Sequence, residues 1–217
     1  MTGHAYLTCI FTVYKPPSMI WYESEVQRLE KERAALTYEP KLLFYGSSSI
    51  RLWEGLNEDF ADYQPVNIGF GGSTLAACDW FFDRLIAPFH PDSMIVYAGD
   101  NDLGDGRHPE EVFIFFQQLV NPTRRQFGNM PLAFISIKPS ITRWNIIDSI
   151  RYTNKLIEEE IKKQGDNLHF INIYTRMTDN SGYPKKEFLD PGGLHMNAQG
   201  YAIWKEIILQ YLSMRMQ

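Results

Sequence analysis

Cysteine is scarce in this chain, with only Cys9 and Cys78 among 217 residues. Two thiols cannot build a disulfide framework, and their spacing suits neither a zinc site nor a redox pair, so both are expected to be unpaired. Long hydrophobic runs are also missing. No uncharged apolar stretch approaches the roughly 20 residues that a membrane helix needs. Positive charge is not in excess either. The net charge is −5, and no Lys/Arg cluster of the kind that binds phosphate backbones is present, which argues against nucleic acid as a partner. Lys162-Lys163 and Lys185-Lys186 read as ordinary solvated charges. Residues 1–17 lack the basic start, long apolar centre and small-residue cleavage site of a secretory signal. The expectation is a cytoplasmic protein, with an exported precursor already trimmed as the alternative. Internal repeats and low-complexity segments are absent.

What the chain does have is apolar mass: 44% hydrophobic residues, 14% of all residues being aromatic. That is too apolar for disorder, and the length suits one domain with a full core. Residues 19–217 read as that domain. Residues 1–18 read as a loosely packed extension, because Met19 opens a better helical pattern than Met1.

The organising stretch is Leu42-Leu43-Phe44-Tyr45-Gly46-Ser47-Ser48-Ser49-Ile50, an apolar run that stops at a glycine and a cluster of hydroxyls. It reads as a buried parallel strand over 41–45, a tight turn, and a helix through Ile50, Leu52, Trp53, Leu56 and Phe60. Further strands are expected over 65–68, 93–98, 131–137 and 168–173. Helices are expected over 19–36, 75–86, 108–120, 145–164 and 197–212, with Asn121-Pro122 kinking or stopping the third and Gly165 ending the fourth. Strands alternating with helices imply a five-stranded parallel sheet covered on both faces: an α/β, doubly wound, three-layer fold.

In such sheets ligands sit outside the carboxyl ends of the strands. Four polar turns fall there: Gly46-Ser47-Ser48, Gly71-Gly72-Ser73, Gly99-Asp100-Asn101-Asp102, and the loop carrying Asp190 and His195. A serine needs a base to become a nucleophile, and histidine titrates in the right range. A serine after the first strand and a histidine after the last suggest acyl transfer. The backbone N–H groups of Ser48 and Gly72 and the side-chain amide of Asn101 offer three donors for an oxyanion.

These residues resemble the SGNH, or GDSL-type, esterases and lipases, whose blocks are named for Ser, Gly, Asn and His. Gly46-Ser47-Ser48 corresponds to the Gly-Asp-Ser block and implies Ser48 as nucleophile, with Ser47 where Asp usually stands. Asn67-Ile68-Gly69-Phe70-Gly71-Gly72-Ser73 implies Gly72 as an oxyanion donor. Gly99-Asp100-Asn101-Asp102 matches Gly-x-Asn-Asp and implies Asn101. His195, with Asn197 and Gly200-Tyr201 after it, matches the last block. The resemblance runs from about Trp21 to the C-terminus and implies a flavodoxin-like SGNH hydrolase fold. Phe44-Tyr45-Gly46-Ser47-Ser48-Ser49 and Ser136-Ile137-Lys138-Pro139-Ser140 are similar to a bacterial branch related to platelet-activating-factor acetylhydrolase-like proteins.

One position departs from the family pattern. The carboxylate that orients the histidine usually lies three residues before it, and Gly192 stands there. Either Asp190 turns back to His195 to complete a triad, or a Ser-His dyad operates with a backbone carbonyl behind the imidazole. Ser47, Phe70, Arg143 and Trp144 are expected to line the substrate pocket.

The expected substrate is a small or short-chain acyl ester, cleaved through an acyl-enzyme. A carbohydrate O-deacetylase or lysophospholipase would differ only in the leaving group. A binding module without catalysis is the alternative from another class. A flavin or nucleotide binder is disfavoured, since no Gly-x-Gly-x-x-Gly or P-loop follows the first strand. No cofactor is expected and no metal, because Asp100-Asn101-Asp102 lacks the Gly and Glu of a calcium loop. Nothing in the sequence specifies an oligomeric state. Taken singly, Ser48 reads as a helix-capping serine, Asn101 as an Asx-turn residue and Asp102 as a structural acid. The four blocks in order favour the active reading.

Overall fold

The computed structural model describes residues 19–165 and 167–215, the side chain of Arg215 excepted. The expected extension over residues 1–18, and Cys9 within it, lie outside the described residues. Five parallel strands form one sheet in the order β2-β1-β3-β4-β5: β1 Leu42–Gly46, β2 Pro65–Gly69, β3 Ser93–Tyr97, β4 Leu132–Ile135 and β5 Leu168–Ile171.

Alternate residues of each strand serve opposite faces, as the period of two demands. Leu43, Tyr45, Met94, Val96, Leu132 and Phe134 enter one core with α1 (Glu23–Ala34), α4 (Leu75–Trp80), α5 (Phe82–Leu85), α7 (Pro109–Phe127) and α8 (Ile147–Gln164). Leu42, Phe44, Ile95, Tyr97, Ala133 and Ile135 enter the other with α2 (Ser48–Arg51), α3 (Leu56–Asp59) and α9 (Ala198–Arg215). α6 (Asp100–Gly104) follows β3 at the sheet edge. The architecture is the expected doubly wound α/β sandwich.

Three helices differ from expectation. The segment after β1 is broken into α2 and α3, because Trp53 turns into the core, 3% exposed, and its Nε1 donates to Asp59 Oδ2 at 2.8 Å. The helix over 75–86 is interrupted at Phe81, whose backbone leaves helical geometry. Conversely, α7 runs through Pro122 to Phe127. The carbonyl that loses its partner belongs to solvent-exposed Gln118, where it is open to solvent, while Val112, Phe116 and Leu119 keep the buried stripe in place.

The switch in strand order falls between β1 and β3, which pair directly with Gly46 opposite Tyr97. Gly46 has φ +137, and a Cβ there would lie 1.9 Å from the Tyr97 carbonyl oxygen. Only glycine ends this strand, and the next amide, Ser47 N–H, donates to that same oxygen at 2.9 Å. The crevice where doubly wound folds bind ligands therefore opens at Ser48.

Candidate active site

Ser48 is the first residue of α2, directly after the extended N-cap Ser47. The Ser47 side chain makes no cap bond and is buried. Ser48 Oγ lies 3.1 Å from His195 Nε2, so the structure brings the first and last of the four turns together.

His195 is presented by a pinned loop. Leu189 and Met196 form an antiparallel bridge, Asp190 N–H donates to the His195 carbonyl at 2.9 Å, and Gly193 N–H donates to the Asp190 carbonyl at 2.9 Å. The segment after β4 straps this loop from outside. Ile141 N–H donates to the Gly193 carbonyl at 2.9 Å, and Thr142 Oγ1 donates to the Gly192 carbonyl at 2.8 Å. On the other side, Asn197 Oδ1 accepts from Gln199 and Gly200 N–H and starts α9, while Tyr201 Oη donates to the Ser49 carbonyl at 3.1 Å.

Asp190 does turn back toward the imidazole. Its Oδ2 is 3.9 Å from His195 Nδ1, within ion-pair range and beyond a hydrogen bond. Partial burial pushes the imidazole below its ordinary pKa, as does the Lys138 ammonium, while Asp190 and Asp100 pull it back up.

The remaining two turns are joined to each other through Asn101 and Ser73. Gly72 has φ +71, with no atom within 4 Å of where a Cβ would stand; its carbonyl accepts from Tyr22 Oη at 3.1 Å. Asn101 Nδ2 donates to the Ser73 carbonyl at 3.0 Å. This bond fixes the amide and leaves its second hydrogen for another acceptor. Among the described residues, no hydrogen-bond acceptor is recorded for the backbone N–H of Ser48 or Gly72. Asp102, fully buried, accepts from Leu75 N–H at 2.8 Å. Burial pushes its carboxyl up to about 6 against the pull of that amide and of Arg107.

The expected pocket residues separate. Phe70 is 0% exposed and packs on Tyr22, Tyr45 and Phe81; its aromatic bulk completes the core and lines no open surface. Buried Ser47 likewise offers little to a substrate. Arg143 lies against Gly104, with Nε 3.7 Å from Asp100 Oδ1. The Trp144 ring packs on Tyr183 and beneath Arg151. A groove of about 540 Å³ lies between the α2–α3 segment and the start of α9, bordered by Leu52, Trp53, Met196 and Tyr201, with Glu54, Asp59 and Lys205 at its polar side; neither Ser48 nor His195 lines it. Buried Lys138 stands between Asp100 and the Leu194 carbonyl, a placement that the sequence alone does not indicate. The available signal was a lysine flanked by Ile137 and Pro139 at the carboxyl end of a strand.

Among the described residues, no group of three or more His, Cys, Asp or Glu side chains is placed to hold a metal ion, and no helix is long and apolar enough to cross a membrane.

A doubly wound parallel sheet with these turns along one edge defines an SGNH-type α/β fold. Residues 43–203 match the model of the GDSL-like lipase/acylhydrolase family, and the chain belongs to that family. Solved structures share the fold at low identity. A GDSL-like lipase from Bacteroides thetaiotaomicron is 21% identical, with TM-score 0.74 over 88% of this chain and 98% of that one. A Streptococcus pneumonia protein, provisionally described as a platelet activating factor, is 20% identical, with TM-score 0.75 over 89% and 95%. The OSK domain of Drosophila Oskar is 15% identical, with TM-score 0.63 over 79% and 88%. No curated protein matches the sequence.

Proposed function

We propose that this protein is a serine hydrolase that cleaves a small or short-chain acyl ester through an acyl-enzyme. The observation that carries the reading is the 3.1 Å contact between Ser48 Oγ and His195 Nε2, within the reach required of a nucleophile and its base. As Ser48 Oγ attacks the ester carbonyl carbon, its proton passes to Nε2. The tetrahedral oxyanion is taken by Ser48 N–H, Gly72 N–H and the free hydrogen of the Asn101 amide. Collapse breaks the bond to the alcohol oxygen, which leaves with the proton from His195. Water then attacks the acyl-Ser48 ester by the same route in reverse order, giving the carboxylic acid and free serine.

Asp190 stabilises the imidazolium across 3.9 Å and acts as an electrostatic partner of the base. The low imidazole pKa keeps His195 unprotonated, and thus able to accept a proton, near neutral pH.

The test is hydrolysis of p-nitrophenyl esters of increasing acyl length, and of acetylated sugars, by the wild type and Ser48→Ala. Turnover is expected to favour acetate to butyrate and to disappear in the variant, with a fluorophosphonate labelling wild-type Ser48 stoichiometrically. Full hydrolysis by Ser48→Ala would overturn the assignment.

A further inference from the structure

Lys138 is 1% exposed, although lysine is almost never fully buried unless paired. Its Nζ donates to the Leu194 carbonyl at 2.6 Å and stands 3.4 Å from Asp100 Oδ2. The other oxygen of Asp100 faces Arg143 Nε at 3.7 Å. Leu194 immediately precedes His195, and Asp100 immediately precedes Asn101. One ammonium therefore spans the residue before the proposed base and the residue before the proposed oxyanion amide.

We infer that Lys138 is a positioning residue of this site, an ammonium strut that ties the turn carrying Asn101 to the loop carrying His195. The inference rests on the reading of Ser48 and His195 as nucleophile and base. Fold stability alone does not call for this lysine. Burying an ion pair costs desolvation that a well-packed apolar side chain avoids, and the neighbours Ile137 and Tyr97 would accept one. The ammonium instead holds two elements that no strand pairing joins: the turn after β3 and the loop before α9.

The strut also shapes the field at the imidazole. The charged groups facing His195 are Asp190 from its own loop, Asp100 from α6 and Lys138 from the segment after β4, with Arg143 behind Asp100. From α2 it meets the neutral Ser48 hydroxyl. The nearby phenol of Tyr201 on α9 is kept neutral, its pKa raised by burial. Lys138 disfavours the imidazolium and the carboxylates favour it, so removing Lys138 raises the pH at which His195 becomes an available base.

Lys138→Met tests this through two readouts, the NMR titration of His195 and the pH dependence of kcat/KM for p-nitrophenyl acetate. Both midpoints are expected to move to higher pH. At the plateau, kcat is expected to fall by about 10- to 100-fold with KM little changed, because misplacing a catalytic group by about 1 Å costs that much. The charge-balanced variant Lys138→Met/Asp100→Asn is expected to bring the His195 midpoint back toward wild type while kcat stays low, since the Leu194 carbonyl still lacks its donor. An unmoved His195 midpoint in Lys138→Met overturns the inference. If that variant does not fold because Asp100 is left with Arg143 alone, the double variant decides: wild-type kcat overturns the inference, and a low kcat at wild-type KM supports it. A fully active Ser48→Ala would instead overturn the Ser-His reading, and the His195 titration would still report on Lys138.

Discussion

Ser48 and His195 stand 147 positions apart in the chain and 3.1 Å apart at their side-chain tips. If the two act as one unit, their effects cannot add. Ser48→Ala and His195→Ala are each expected to lower kcat for p-nitrophenyl acetate by about 10⁴-fold or more, and the double variant no further than the worse single one. Single-turnover rates of the three proteins decide it. Independent losses that multiply would separate the two residues.

In the proposed oxyanion hole, Asn101 offers a side-chain donor and Gly72 a backbone one, so their variants should fail differently. Asn101→Ala removes the donor itself and is expected to reduce kcat by about 100- to 1,000-fold. Its stability should fall by only about 1 kcal/mol, for the lost bond to Ser73. Gly72→Ala keeps the backbone N–H and meets no neighbour, but its φ of +71 strains any residue with a Cβ by about 1–2 kcal/mol. Its melting temperature should drop more than its kcat. Thermal melts paired with initial rates make the comparison.

Asp190 raises the His195 pKa, so Asp190→Ala should lower it further. The imidazole would then remain an unprotonated base to a lower pH, and the acid limb of kcat/KM should move down. The plateau rate should also fall, by about 10- to 100-fold. That is less than the roughly 10⁴-fold cost of disabling a hydrogen-bonded triad carboxylate, because the separation here is 3.9 Å. An acid limb that moves up would contradict the placement of this carboxylate.

Asp102 provides a stability signature. Its folded pKa of about 6 lies above the ordinary 3.8, so between those values the folded state holds more protons than the unfolded one, and stability declines as pH rises. The full excursion is on the order of 3 kcal/mol. Asp102→Asn keeps an acceptor for Leu75 N–H and removes the titration. Denaturant midpoints between pH 4 and 7 are expected to be flatter with pH in the variant than in the wild type.

Much of the fold could be read from the sequence because parallel strands buried on both faces are written as short continuous apolar runs, such as Leu42-Leu43-Phe44-Tyr45 and Met94-Ile95-Val96-Tyr97. Three of the four polar turns were legible for a related reason, since each follows such a run with residues a core would exclude; the loop of Asp190 and His195 stood out only through its match to the last family block. What escaped depends on partners distant in sequence. The break between α2 and α3 follows from where Trp53 finds space, and the continuity of α7 through Pro122 from which side of the helix faces water. Phe70 lies beside the active turn in sequence, yet Tyr22, Tyr45 and Phe81 draw it inward. Lys138 stands in the sequence only as part of the Ser136–Ser140 stretch, and its partners, Asp100 and the Leu194 carbonyl, lie 38 and 56 positions away.

Asn101 and Asp102, adjacent in the chain, hold opposite ends of one short span: the Ser73 carbonyl on one side and the Leu75 amide on the other. The turn that presents Gly72 is thereby riveted to the turn that presents Asn101, and neither can drift without breaking bonds that also start α4. Amide exchange at Leu75 should accordingly follow opening of the whole sheet rather than local fraying. In the proposed reaction, the geometry that receives the developing negative charge is set once, when the chain folds, and is not reassembled at each turnover.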